Sequence, residues 1–208
     1  MMEKKIKILF ITNALEVGGA EKFFLDLLKH LDKNKFEPSL ATVIGGGSLE
    51  KEFNALNLPI YIQGRKRIRY LGGLGQFWQL YKLIKKIQPD IVHTQLFAAD
   101  LWGRLAARLA GVSFITTTEQ NVNVDQSWLR ETLKMLTYKL TNKVVAISIA
   151  VKNYSIKRYH LPTEKIIIIP HRAFYFVYIK IIHSIILRIN VRRNSWIKKK
   201  RICHLHEF

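Results

Sequence analysis

Seven short apolar runs, each parted from the next by a stretch of helical spacing, leave this chain few ways to fold. The runs are Ile6–Thr12, Ser39–Ile44, Ile60–Ile62, Ile91–His93, Phe114–Thr118, Val144–Ile147 and Ile166–Ile169. Between them lie Ala20–Leu31, Leu49–Ala55, Gly75–Ile87, Phe97–Leu109, Leu129–Tyr138 and Ala150–Tyr159. These carry apolar residues three and four apart, as in Phe24, Leu27, Leu28 and Leu31, or Leu101, Leu105 and Leu109. Runs such as Ile91-Val92 and Ile166–Ile169 do not alternate with polar residues, as expected of strands covered on both faces. Pro89 after Ile87, and Gly111 after Leu109-Ala110, are ordinary helix stops. The pattern predicts an α/β fold with a doubly wound, mostly parallel sheet over residues 1–170.

In such Rossmann-like sheets ligands collect at the carboxyl ends of the strands. Asn13, Gly18-Gly19, His93-Thr94, Glu119-Gln120-Asn121 and Ser148 are expected there. The first strand feeds Val17-Gly18-Gly19-Ala20-Glu21, a glycine-paired turn that opens a helix. Glycine lets backbone approach a ligand closely, and the first N–H groups of a helix have no intrahelical partner. Gly18 and Gly19 are therefore candidates for holding a phosphate. A plain strand–helix connection is the competing reading. A dinucleotide fingerprint is excluded, because the three glycines of G-x-G-x-x-G are lacking and Ala41-Thr42-Val43 ends the second strand without a carboxylate.

Hydrophobic residues make up 49% and charged residues 24%, a globular balance. A single cysteine, Cys203, allows no internal disulfide and suits a reducing compartment. Asn13 and Glu16 break the first apolar run, which reads as a strand rather than a signal peptide. The formal charge is +19, and residues 171–208 carry nine Lys/Arg against Glu207. Such an excess attracts polyanions: nucleic acid, anionic headgroups or phosphorylated substrates. After Pro170 the strand–helix grammar stops. The apolar run from Phe174 to Ile189 is interrupted by Lys180, His183 and Arg188 and is shorter than the roughly 20 residues of a membrane helix. Residues 171–208 are expected to form an irregular basic tail and not a domain; out-of-frame translation of AT-rich DNA gives such a composition.

Six pieces in register across residues 5–170 resemble the amino-terminal domain of family 4 glycosyltransferases of the GT-B fold. They are Asn13 with Gly18-Gly19-Ala20-Glu21; Asp90-Ile91-Val92-His93-Thr94; Ala99 to Ala107; Thr117-Thr118-Glu119; Val144 to Ser148; and Lys165 to Pro170. The resemblance implies two Rossmann-like domains around a cleft, the first mostly binding acceptor and the second gripping a nucleotide-sugar donor. It implies transfer of the sugar to a glycan or lipid-linked acceptor with retained anomeric configuration, with no metal and no cofactor beyond the nucleotide-sugar co-substrate. It stops after Pro170, where relatives continue with Asn-Gly-Ile/Val-Asp and the donor domain. The chain therefore reads as the front half of such an enzyme, with little turnover expected alone. A non-catalytic basic module binding membranes or polyanions is the alternative.

No catalytic residue is assigned. Candidate substrate-binding residues are Asn13, His93, Glu119, Gln120, Asn121 and Ser148. His93 could orient acceptor or share protons, or be a packed histidine. Glu119 could bind acceptor, or be a solvated loop carboxylate; Ser148 could be a helix N-cap. Many relatives carry histidine where Gln95 and Gln120 stand, and glutamine cannot take a histidine's charge or act as a base. Arg65, Lys66, Arg67 and Arg69, with Trp78, Lys82, Lys85 and Lys86, form a basic-aromatic patch suited to an anionic leaflet. A core-facing helix with a solvated basic rim is the competing reading. Interleaved aromatics also stack bases, but no nucleic-acid motif accompanies them, and no specific nucleic acid is expected. The chain is expected to be cytoplasmic, with peripheral contact on the inner face of the membrane.

Overall fold

The computed structural model describes residues 4–64, 72–122 and 127–169. Strands β1 (Ile6–Thr12), β2 (Phe36–Thr42), β3 (Ile60–Ile62), β4 (Ile91–Gln95), β5 (Phe114–Glu119), β6 (Lys143–Ala146) and β7 (Ile166–Ile168) form one sheet. Its order is β3-β2-β1-β4-β5-β6-β7 and every pairing is parallel. Helices α1 (Gly19–His30), α2 (Glu50–Asn54), α3 (Gly72–Ile87), α4 (Phe97–Ala110), α5 (Trp128–Tyr138) and α6 (Ile149–Tyr159) connect them. The doubly wound, Rossmann-like expectation is met.

The absence of polar alternation in β1 follows from two cores. Ile8 and Phe10 pack with Phe24, Leu27 and Leu28 of α1 and Phe53 of α2. Leu9 and Ile11 face the other way, onto Leu80 and Ile84 of α3 and Ala99 and Ala106 of α4. A third cluster joins Val144 and Ala146 of β6 to Tyr138 of α5 and Val151 and Tyr159 of α6. α4 lies close on the sheet because Gly103 has no side chain; a Cβ there would stand 2.9 Å from Thr94 Cγ2 and 3.2 Å from Ile11 Cδ1.

Most boundaries differ from the sequence reading by a few residues, and those of β2, β4 and β5 have a clear physical cause. β2 begins at Phe36, so it contains Pro38. β3 pairs only from Leu40 onward, so β2 is an edge at Pro38 and its missing N–H leaves no ladder bond unmade. β4 and β5 each extend into polar residues, Thr94-Gln95 and Glu119. Those side chains are buried, and tertiary hydrogen bonds make them tolerable there. Residues 171–208, expected to form the basic tail, lie outside the described residues, as do Arg65, Lys66, Arg67 and Arg69. Among the described residues no helix is long and apolar enough to cross a membrane.

Candidate functional site at the sheet's carboxyl edge

Successive connections run outward from β1 toward β3 on one side and from β4 toward β7 on the other. The crevice that such a sheet offers a ligand therefore opens where β1 and β4 end. Asn13 ties it together. Its backbone oxygen accepts from Val43 and Ile44 N–H, and its Oδ1 accepts from Ala99 N–H in the first turn of α4 at 2.9 Å. The loop after β1 is clamped by the loop after β2: Leu15 N–H donates to Gly46 and Leu49 N–H donates to Leu15. A Cβ on Gly47 would lie 2.4 Å from the Leu15 carbonyl, so this contact admits only glycine.

Gly18 is the N-cap of α1 and has no side chain to bond the first N–H groups of that helix. Gly19 is exposed, and a Cβ on it would meet nothing within 4 Å. Gly18 is screened differently, because a Cβ there would be 2.4 Å from Glu21 Oε2. Burial, aided by the nearby Glu16, raises the Glu21 carboxyl above its ordinary pKa despite a backbone hydrogen bond that lowers it. An anion arriving at α1 thus meets the first N–H groups of the helix together with the Glu21 carboxyl, which bonds its own backbone N–H. The sequence reading missed Glu21 as part of the site, although its place in the first turn is the ordinary position for an acid.

At the end of β4, Gln95 is fully buried. Its Nε2 donates to Thr12 Oγ1 at 3.2 Å and to the Ala20 carbonyl at 3.0 Å, and its Oε1 accepts from Gln120 Nε2 at 3.1 Å. Leu96 follows with φ 69 and ψ 155, a backbone conformation that L residues rarely adopt. Asn121 is exposed beside Gln120. These amides and the start of α1 form the polar lip of the crevice.

His93, expected near the acceptor, lies beneath the strand ends with no exposure. Its ring stands 5.6 Å from Phe10 and 5.5 Å from Phe24, and Nε2 pairs with Thr118 Oγ1 at 2.9 Å. Burial pushes its pKa down to about 3, so it stays neutral; the packed reading describes this placement. Glu119 is not a solvated loop carboxylate. It is buried at the end of β5 and holds Lys134 Nζ at 2.7 Å on Oε1 and 2.8 Å on Oε2. Ser148 caps α6, its Oγ accepting from Val151 N–H at 3.2 Å. Trp78, Lys82, Lys85 and Lys86 sit on exposed positions of α3, on the other side of the sheet from α1.

A second buried polar group underlies the edge. Asp100 Oδ2 pairs with Arg104 at 3.0 Å, and Asp100 Oδ1 accepts from Thr94 and Thr117 hydroxyls, both at 2.6 Å. Arg104 also donates to Thr117 Oγ1 and Thr137 Oγ1 and lies 4.4 Å over the Tyr138 ring. An acid and a base four apart on a helix look like a surface pair in sequence; only the small residues around them, Ala99, Gly103, Ala106 and Ala107, hint at burial. Among the described residues no group of three or more His, Cys, Asp or Glu is placed to hold a metal ion.

Several large apolar side chains stand exposed along the same edge. Val17 precedes α1, Ile44 follows β2, Val122 follows β5, Trp128 and Leu129 begin α5 and Ile149 begins α6. Trp128 is 75% exposed. An apolar rim around a polar lip is the character of a surface meant to be covered.

The model of Glycosyltransferase Family 4 matches residues 17–171. The chain is 27% identical over 180 residues to the UDP-Gal:alpha-D-GlcNAc-diphosphoundecaprenol alpha-1,3-galactosyltransferase of Escherichia coli, covering 80% of this chain and 45% of that one. A glycosyltransferase from Rickettsia africae superposes with TM-score 0.65 at 25% identity, covering 80% of this chain and 43% of its own. HepE from Anabaena, solved with UDP and glucose, gives TM-score 0.67 at 16% identity over 80% of this chain and 44% of its own; that likeness is one of fold. The chain thus spans less than half the length of these relatives. They are glycosyltransferases or share the fold, and the non-catalytic module finds no support among them.

Proposed function

Because the chain belongs to glycosyltransferase family 4, we propose that it supplies the acceptor-side wall of an enzyme moving a sugar from a UDP-sugar to a lipid-linked, diphosphate-bearing glycan. The observation that carries this is the open start of α1 at the sheet's switch point, with the amides of Gln120 and Asn121 beside it. Backbone N–H groups at a helix start suit a diphosphate. Amide side chains suit sugar hydroxyls, which donate and accept. The E. coli relative acts on a GlcNAc-diphospholipid and the Anabaena fold neighbour holds UDP and glucose, which supports the substrate classes.

Glycosyl transfer requires the leaving diphosphate to be stabilised electrostatically as the bond to the sugar breaks. α1 offers one helix start and Glu21 opposes it, so most of the positive charge must come from across the cleft. The apolar rim from Val17 to Ile149 supports a second lobe seated there. Release of UDP from UDP-galactose in the presence of a GlcNAc-diphospholipid tests the reading. The chain alone should release none above the uncatalysed rate; sustained release by the chain alone would overturn the division of labour.

The same reading extends to a membrane. Leu74 (59% exposed) and Trp78 (56%) share an exposed face of α3 with Lys82, Lys85 and Lys86, and α3 contains no acidic residue. Trp78 meets Phe77 and Tyr81 edge-on, and Phe77 in turn stacks on Tyr81 and touches Trp102, which stiffens its seat. Two apolar anchors followed by lysines suit the interface of an anionic leaflet, where a lipid-linked acceptor resides. This supports peripheral docking on the inner face.

A further inference from the structure

Gln95 touches three elements through one side-chain amide. The Ala20 carbonyl of α1 can only accept, so it fixes the amide with its NH2 end toward Ala20 and Thr12 Oγ1 of β1. That leaves Oε1 for Gln120 in the loop after β5. The Ala20 carbonyl belongs to the first turn of α1, two residues past the Gly18 cap. The next residue, Leu96, keeps its rare conformation because both sides of it are tied: Gln95 as described, and the start of α4 through Asn13 Oδ1 to Ala99 N–H and Leu96 O to Asp100 N–H. Strain of this kind persists only where the surroundings over-determine it.

We infer that Gln95 is a positioning residue, linking the loop at Gln120-Asn121 to the helix start at Gly18-Gly19. It rests on the functional reading above for what the two ends bind: sugar hydroxyls at one, diphosphate at the other. A shift of Gln120 toward a ligand pulls on Oε1 of Gln95, and the same amide holds the carbonyl that sets the direction of the first turn of α1. Being an amide, the link carries no charge and does not titrate across the physiological range. A histidine at either position would make it sensitive to pH.

Amide hydrogen exchange on the full chain tests the link without any ligand. Gln120 is half-buried on a loop, so Gln120→Met should fold. It should nevertheless speed exchange at Lys22, Phe23 and Phe24, on α1, by about fivefold, the worth of one ordinary hydrogen bond. Gln95→Glu supplies a pH readout. Its carboxylate cannot donate to Ala20 or Thr12, so first-turn exchange, taken as a ratio to the unsubstituted chain at the same pH, should rise where the acid is ionised and return toward one where it is protonated. If Gln95→Glu does not fold, the Gln120 variant still decides. Exchange changes confined to residues 119–122 in Gln120→Met would overturn the link. Inorganic pyrophosphate separates this from the functional reading. If it leaves first-turn exchange in the unsubstituted chain unaltered, α1 does not hold a diphosphate, while the variant result still settles whether the link exists.

Discussion

A buried histidine that never charges gives this protein a signature in acid. His93 is held neutral down to about pH 3, whereas in the unfolded chain its imidazole takes a proton near pH 6.5. Between those values the unfolded state binds the extra proton, so stability falls as pH falls, by up to about 1.4 kcal/mol per unit from this residue. Denaturant unfolding of the unsubstituted chain and of His93→Gln between pH 7 and pH 3 should show the shallower slope in the variant; equal slopes would mean that His93 is accessible to protons in the fold. The Asp100–Arg104 pair makes a prediction of another kind. Asp100→Ala strands a fully buried guanidinium and should cost roughly 3–5 kcal/mol in unfolding free energy. Single residues were the hardest part to read from sequence. Glu119 looks like a loop carboxylate because its partner, Lys134, lies on another element, and Asp100 with Arg104 looks like a helix surface pair. Gln95 stands out in sequence only as a place where relatives carry histidine, and nothing local shows its bonds, since its partners Thr12, Ala20 and Gln120 are distant in the chain.

The elements themselves are legible, because both faces of the sheet are covered and strands such as β1 and β7 must be apolar through their middles. Their ends are less so, since β4 and β5 finish in buried polar residues that only tertiary contacts satisfy. Helix α6 shows a cap that is legible: Ser148 stands one residue before it and bonds Val151 N–H. Ser148→Ala should therefore lower stability by roughly 1 kcal/mol, with no other loss, when measured by thermal or denaturant unfolding. Helix α4 is closer to the sheet than most side chains allow. Gly103→Ala must push against Thr94 and Ile11 and should cost about 1–3 kcal/mol in the same measurement. Helix α3 carries the membrane proposal. Replacing Lys82, Lys85 and Lys86 by glutamate should abolish co-sedimentation with vesicles rich in anionic phospholipid, and Trp78→Ala should weaken it at every salt concentration. Unchanged binding in both would remove α3 from any docking surface.

At the scale of the molecule, a parallel sheet in this order offers one crevice, at its carboxyl edge, and the polar lip and apolar rim both lie there. The carboxyl edge followed from the alternation of strands and helices in the sequence, but the switch point and the rim did not: Val17, Ile44, Val122, Trp128 and Ile149 are scattered over more than a hundred positions and share one edge only through the fold. The family model matches residues 17–171, and the chain spans 45% of the length of the curated relative. The most direct measurement is to map a soluble GlcNAc-diphosphate acceptor analogue onto the isotopically labelled chain by amide chemical-shift perturbation. The shifts should cluster at Asn13, Gly18, Gly19, Gln120 and Asn121. A saturable response confined to the opposite edge of the sheet, or none at the start of α1 at millimolar analogue, would contradict the assignment of this lobe to the acceptor.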